Sequence, residues 1–173
     1  MLKRSLLPSA VLVLLALAPR VRAEERVREG FVIGGGGGYG RFWGEGQTSN
    51  GYALTFHAGV MLSERTALLL DTSAVCDSST SSTFCQSLFG AGVQFWVTDR
   101  FWVKAAVGGS QNRIFGDILD ESSDIGYGVL AAAGASVARR GSYSIDLQAR
   151  LSTSRIEGVR SNTFAVLVTF NHE

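Results

Sequence analysis

Histidine, cysteine and proline each occur only twice among the 173 residues of this chain. The two histidines, His57 and His172, do not provide the serine–histidine pair that a nucleophilic hydrolase needs, and neither cysteine has a histidine close by for metal binding. We therefore predict no enzyme activity, no catalytic residue, no metal site and no cofactor. The scarcity of proline, together with 21 glycines, favours an all-β chain with tight turns.

Charge and long apolar segments are also scarce. Charged residues make up 18% of the chain, whereas about 25% is usual in soluble domains. The apolar segment at 6–18, interrupted only by Pro8 and Ser9, is shorter than the about 20 residues that a membrane-spanning helix needs. No cluster of basic residues indicates a nucleic-acid partner.

The first 23 residues have the three parts of a secretory signal peptide. Lys3 and Arg4 form the basic start, the apolar segment follows, and Ala23 ends a Val-Arg-Ala sequence that a signal peptidase can cleave. We predict a signal peptide at 1–23 and one mature domain at 24–173, beginning at Glu24. Loss of the four basic residues of the leader leaves 12 of the 16 basic residues against 15 acidic ones, a net charge of −3.

After the leader, apolar side chains alternate with Gly, Ala, Ser, Thr, Gln or charged residues in eight successive segments. Because side chains on a strand point to opposite faces with a period of two, this alternation predicts β-strands. The predicted strands are 30–42, 51–62, 65–76, 84–97, 101–112, 124–138, 142–153 and 162–171.

Short and long connections alternate between the predicted strands. Residues 63–65, 98–100 and 139–141 form three short turns, while 43–50, 77–83, 113–123 and 154–161 form four longer polar loops. This order is typical of bacterial outer-membrane barrels, which have turns in the periplasm and loops outside the cell. Aromatic girdles are expected at both interfaces, formed on the turn side by Phe95, Trp96, Phe101 and Trp102 and on the other side by Tyr39, Trp43 and Tyr52.

The size of the polar residues indicates which face of the barrel is inside. The polar face carries mainly small residues and glutamine, which suit the narrow interior of an eight-stranded barrel, and lacks the dense Lys, Glu and Arg of a water-facing exterior. We therefore predict an all-β, eight-stranded antiparallel up-and-down transmembrane β-barrel. Its predicted lipid-facing residues include Phe56, Val103, Leu147 and Val166. The alternative is a soluble periplasmic ligand-binding barrel, of the lipocalin type, with the two faces reversed.

Seven ionisable or amide residues with inward parity are predicted to form a polar network in the lumen: His57, Asp71, Gln94, Lys104, Asp146, Gln148 and Arg150. Three-residue turns at 63–65, 98–100 and 139–141 would place three pairs of residues opposite each other: His57 and Asp71, Gln94 and Lys104, and Asp146 and Gly134. Such a network either plugs a narrow bore or supports the conduction of small solutes.

Cys76 and Cys85 are the only cysteines. Both have outward parity, and they flank the predicted loop between them symmetrically. In an exported protein, an even cysteine count and a cross-strand position favour a disulfide bond. The alternative is a pair of free thiols at the rim.

Three segments carry a family resemblance: the glycine-rich first strand at 31–40, the turn sequence Val-Thr-Asp-Arg-Phe at 97–101, and the aromatic-alternating last strand at 164–170. In these the chain resembles the OmpA/OmpX-like eight-stranded outer-membrane barrels. The resemblance covers the mature chain and implies insertion into the outer membrane of a Gram-negative bacterium by the outer-membrane assembly machinery. Members often end on a terminal Phe that this machinery reads, whereas Asn171, His172 and Glu173 follow Phe170 here.

Together these features predict a non-enzymatic protein of the cell envelope, with a structural or surface-interaction role through four extracellular loops. The predicted partners are membrane lipids, lipopolysaccharide and the assembly machinery, and the sequence does not specify a surface ligand. The alternatives are a narrow, porin-like passive channel for small solutes and the soluble periplasmic barrel.

Overall fold

The computed structural model describes residues 28, 30–44, 47–78, 82–116 and 120–173. The predicted signal peptide at 1–23 and the predicted mature start at Glu24 lie outside the described residues. Within the described part of the chain, no helix has the length and hydropathy required to cross a membrane.

The described residues form nine antiparallel strands. Their bounds are β1 Phe31–Gly44, β2 Gln47–Ser63, β3 Thr66–Ser78, β4 Ser82–Trp96, β5 Phe101–Gly116, β6 Asp120–Ser122, β7 Gly126–Arg140, β8 Tyr143–Ile156 and β9 Val159–His172. Neighbours in sequence pair along the sheet, β5 pairs with both β4 and β7, and β1 pairs with β9 to close the cylinder. The short β6 pairs only with the end of β5. The prediction of an all-β, eight-stranded up-and-down barrel is therefore confirmed.

The strand register fixes how steeply the strands tilt around the barrel. Directly opposed partners, followed once around the wall from Arg155 on β8, lead back to Ile145 on the same strand, an offset of ten residues. A stagger of this size requires strands tilted by roughly 40° to the barrel axis. Residues on one strand therefore rise by about 2.4 Å along the axis per residue.

The prediction of four long polar loops is wrong, because most of those residues belong to strands. At this end of the barrel, which we call the far end, β1 and β2 are joined by residues 45–46 alone, β3 and β4 by 79–81, and β8 and β9 by Glu157 and Gly158. Only the connection between β5 and β7, which contains β6, remains long. Polar residues in these segments still alternate between the two faces, and their backbone groups pair across each hairpin.

The three connections at the opposite end, the turn end, keep the predicted faces but not every predicted pair. At the turn between β4 and β5 the backbone NH of Val97 donates to the carbonyl of Phe101 at 2.8 Å, as the predicted register requires. Between β2 and β3, Ser63 rather than Leu62 pairs with Thr66, because a bulge lies between Met61 and Ser63. The bulge and the two-residue turn together have the length of the predicted three-residue turn.

The β7–β8 hairpin departs further from the prediction. Arg140 pairs with Tyr143 around a two-residue turn in which Gly141 has a φ of 57°, and a bulge follows between Ser136 and Ala138. Asp146 consequently lies opposite Ser136, not Gly134. The observed partner of Asp146 differs from the predicted one by two residues. Because this is an even number, every side chain on β8 stays on its predicted face.

Two rings of exposed aromatic residues border an apolar belt on the outside of the barrel. The ring near the turn end contains Phe31, Phe95, Phe101, Tyr143 and Phe170, and the ring toward the far end contains Tyr39, Tyr52, Phe89, Tyr127 and Phe164. On β8 the belt from Tyr143 to Leu151 is about 20 Å high along the barrel axis. Placing Trp96 and Trp102 in a girdle was wrong, because both side chains point inward and are 0% and 2% exposed.

Candidate functional site

An ion cluster occupies the middle of the barrel interior. Asp71 on β3 accepts a hydrogen bond from Lys104 Nζ on β5 at 2.5 Å, and its two carboxylate oxygens lie 3.0 and 3.2 Å from the guanidinium nitrogens of Arg150 on β8. All three side chains are buried. Since the three strands lie on different sides of the barrel, these contacts extend across the bore. Two cations share one carboxylate, so the cluster has a net charge of +1.

Three other residues of the predicted network surround this cluster without joining it. His57 lies opposite Asp71 and Gln94 lies opposite Lys104, as predicted, and Gln148 lies opposite Gly134. All three are buried. Within the described part of the chain, His57 Nδ1, Gln94 Oε1 and both amide atoms of Gln148 have no hydrogen-bond partner. The structure thus places the seven predicted residues inside the barrel and unites only Asp71, Lys104 and Arg150 in one bonded cluster.

Asp146, the seventh member of the predicted network, bonds to a tryptophan instead. Its Oδ2 accepts a hydrogen bond from the indole NH of Trp102 at 2.7 Å. The ring of Trp102 fills the space beside Gly134, where a β-carbon would lie 2.3 Å from the ring. The missing side chain at Gly134 thus leaves room for the Trp102 ring, and Asp146 pairs with Ser136 instead.

A second ion cluster at the turn end was not predicted. The Nε of Arg28 lies 2.8 Å from the Glu173 carboxylate, and its Nη2 donates to the carbonyl of Asp99 at 2.8 Å. The guanidinium lies 4.8 Å from the centre of the Trp96 ring, and Arg139 also approaches Glu173, at 3.4 Å. Inward parity at Trp96 and Glu173 was visible in the sequence. The position of Arg28 was not, because this residue precedes β1.

Toward the far end the interior contains hydroxyl groups and the amide of Gln86. Gln86 Nε2 donates to the hydroxyl of Ser154 at 2.6 Å and also to that of Ser161, while Ser152 and Thr163 share a 2.6 Å hydrogen bond. A cavity of about 10 Å³ lies between these groups and Arg150. This volume is at the lower limit for a single water molecule.

The interior is less polar than predicted. Large apolar side chains project inward between the two ion clusters and above them: Leu69, Leu88, Leu130, Leu167, Trp96 and Trp102. Each predicted strand has few large apolar residues with inward parity, and for this reason the sequence predicted an inward face of small and polar residues. Those exceptions meet in the middle of a narrow cylinder, where they fill the space that the many glycines and alanines leave.

The outer face carries the remaining predicted residues. Phe56, Val103, Leu147 and Val166 lie on the outside of the barrel, 42–49% exposed. Cys76 and Cys85 are directly opposed partners on β3 and β4, with outward parity, and form a disulfide bond. The disulfide prediction is therefore confirmed.

The described residues contain no group of three His, Cys, Asp or Glu side chains that could hold a metal ion. His57 is in the interior beside Gly34, and His172 is in edge-to-face contact with Tyr143, 5.0 Å between ring centres.

Comparison with known proteins gives matches at the level of structure only. No protein-family profile and no curated protein sequence matches the chain. The Neisserial surface protein A, NspA, superimposes with a TM-score of 0.68 at 15% identity, over 82% of this chain and 96% of that protein. Ail, the attachment invasion locus protein of Yersinia pestis, superimposes with a TM-score of 0.54 at 15% identity, over 83% of this chain and 99% of that protein. The chain therefore has the fold of the OmpA/OmpX-like outer-membrane β-barrels. This follows from the closed eight-stranded cylinder, from its register and from these two structural likenesses.

Proposed function

We propose that this protein is an integral outer-membrane barrel whose lumen is closed by its own side chains, with a non-enzymatic role in envelope structure or surface interaction. The observation that carries the proposal is the continuous apolar belt on the outside of a filled barrel. Exported through its leader, the protein would be inserted by the outer-membrane assembly machinery and surrounded by membrane lipids and lipopolysaccharide.

The belt supports a lipid environment on energetic grounds. More than 30 large apolar side chains are exposed, among them Phe31, Leu70 and Tyr127, whereas soluble monomers rarely expose apolar patches above a few hundred Å². A closed barrel also satisfies its backbone hydrogen bonds within the wall, as a bilayer requires. The soluble ligand-binding alternative needs the opposite arrangement, an apolar cavity inside and a charged exterior.

The interior contacts support a closed lumen rather than a channel. Asp71, Lys104 and Arg150 bond across the bore in the middle, and Arg28 and Glu173 pair at the turn end. An eight-stranded barrel has little interior volume beyond its side chains, and the cavity near Arg150 has room for about one water molecule.

The surface role is proposed from the character of the far end and from the two structural likenesses. The likenesses are to a protein described as a surface protein and to one described as an attachment invasion locus protein. With short far-end connections, an interaction surface on this chain would consist of the polar strand ends and the segment between β5 and β7, not of four long loops.

Two measurements test this function. Expressed with its leader in a Gram-negative host, the protein should sediment with the outer membrane and migrate faster on a gel before heating than after. Purified protein in a planar bilayer should give no unitary conductance where a large porin does. Recovery of soluble periplasmic protein would contradict the membrane assignment, and stepwise conductance would favour the passive channel.

A further inference from the structure

We propose that the outer face of the β8–β9 hairpin, with the adjoining part of β7, binds the phosphate groups of lipopolysaccharide in the outer leaflet. The site consists of Arg155, Arg160, Thr153, Tyr127 and Val129. The inference rests on the proposed outer-membrane location and names a specific partner and surface for it.

The first observation is a pair of like charges that has no acidic partner among the described residues. Arg155 and Arg160 are directly opposed partners on β8 and β9, both exposed on the outer face. Among the described residues neither guanidinium forms an ion pair. Arg155 Nε donates to the carbonyl of Gly158 and Arg160 Nε to the hydroxyl of Thr153, each at 3.3 Å. Like charges directly opposed across two strands are destabilising, so the arrangement favours a bound anion.

The carboxylate closest in sequence does not neutralise this pair. Glu157, in the turn between the two strands, accepts a hydrogen bond from the backbone NH of Asp124 at 3.1 Å. Within the described part of the chain, most guanidinium nitrogens of Arg155 and Arg160 therefore have no protein partner. Guanidinium groups bind phosphate oxygens through paired, charge-assisted hydrogen bonds, which makes a phosphate group the fitting anion.

The second observation is the height of the pair above the apolar belt. Arg155 is four residues beyond Leu151, the last apolar outward residue of β8, and lies opposite Tyr127 of the aromatic ring. At this tilt its α-carbon is about 10 Å above Leu151, and a long arginine side chain can reach down toward the interface. This is the level of lipid head groups, next to the hydrocarbon region.

The third observation is an apolar groove directly below the arginines. Tyr127, Val129 and Thr153 line part of an open groove of about 240 Å³ that also reaches Arg155 and Arg160. A phosphate-binding pair above a lipid-facing apolar groove fits one amphiphilic molecule with a phosphorylated head and acyl chains. The lipid of the outer leaflet that combines these features is lipopolysaccharide. The free phosphate ion lacks the apolar part.

Binding of purified lipid A to the protein refolded in detergent tests the site. The probes are lipid A with both phosphates, the same lipid A after removal of both phosphates, and inorganic phosphate, with dissociation constants measured by titration. The test variants are the double variant R155Q/R160Q and the single variant R160Q. The control is R65Q/R113Q, which also removes two exposed arginines, one at the turn end and one on the outer face of β5.

We expect the double variant to bind phosphorylated lipid A at least about tenfold more weakly than the unmodified protein, and the single variant to fall between them. The control should bind like the unmodified protein, dephosphorylated lipid A should bind all of them equally weakly, and inorganic phosphate should not compete. Equal binding of both lipid forms, equal losses in test and control variants, or full competition by inorganic phosphate would each overturn the site.

The refolding step separates this inference from the proposed function. If the unmodified protein forms no heat-modifiable barrel in detergent, the outer-membrane assignment itself fails. If the barrel forms and phosphorylated lipid A binds no better than the dephosphorylated form, only the phosphate site fails.

Discussion

Asp71 is the only carboxylate in the central ion cluster, where it neutralises part of the charge of Lys104 and Arg150. We expect Asp71→Asn to lower the free energy of unfolding by about 3–5 kcal/mol, because it leaves two buried cations without a counter-charge. Lys104→Met should cost less, since Arg150 still pairs with Asp71. Urea unfolding in detergent micelles measures both values.

The matched pair distinguishes charge from packing. Both substitutions alter one buried side chain of the same cluster, and only Asp71→Asn removes the carboxylate. If Lys104→Met is the more damaging change, packing of the lysine stem rather than charge balance stabilises this layer of the interior.

Leu147 tests the direction of the faces at a single residue. It lies mid-belt on β8 and is exposed on the outer side. If this face contacts lipid, Leu147→Arg should destabilise the folded protein by about 2–4 kcal/mol, while Thr48→Arg, exposed on β2 beyond the aromatic ring, should cost about 0–1 kcal/mol. Refolding titrations in lipid vesicles give both values.

A probe experiment checks the same faces without adding charge. A thiol label at position 147 should be quenched by lipid-borne reagents, and one at 148, whose residue is buried in the interior, should not. Quenching at 148 alone would mean that the faces are inverted.

Among the hairpins, the β8–β9 turn has a backbone that its sequence does not suit. Glu157 has a φ of 52° and Gly158 a φ of 84°, the arrangement in which Asn-Gly is preferred. Glu157→Asn should stabilise the protein by about 1 kcal/mol, because Asn tolerates the left-handed region better than Glu. Thermal unfolding measured beside Glu157→Gln provides the comparison.

The glutamine variant removes the same charge and keeps a side chain of the same length. It should bring little gain. Equal stabilisation by both variants would assign the effect to the loss of the carboxylate, and no gain from asparagine would show that the contact with Asp124 outweighs the backbone preference.

For the whole molecule, the leader makes a prediction about processing. N-terminal sequencing of the membrane-bound protein should begin at Glu24 or within a few residues of it, because the small residue Ala23 ends the cleavable segment. Protein that retains Met1 in the membrane fraction would contradict export by cleavage. An uncleavable leader variant, with Ala23 replaced by a bulky residue, serves as the control.

The alternation of side chains in the sequence was sufficient for the number of barrel strands, the faces of their side chains and the closed eight-stranded cylinder, but not for where the strands end. A strand has a period of two whatever it packs against, so the inward parity of Asp71 or Arg150 and the outward parity of Leu147 could be read locally. The disulfide between Cys76 and Cys85 followed from the same parity and from the small number of cysteines.

Only the tertiary structure decided which inward residues touch. The two-residue turn and the bulge of the β7–β8 hairpin together place Asp146 two residues from its predicted partner, where it bonds to Trp102. Arg28 reaches Glu173 from outside the strands. Likewise, the polar strand ends pair across hairpins although their composition is that of loops. Parity is a property of each strand alone, whereas contacts depend on bulges, turn lengths and the stagger of ten residues around the barrel, which arise only when the cylinder closes.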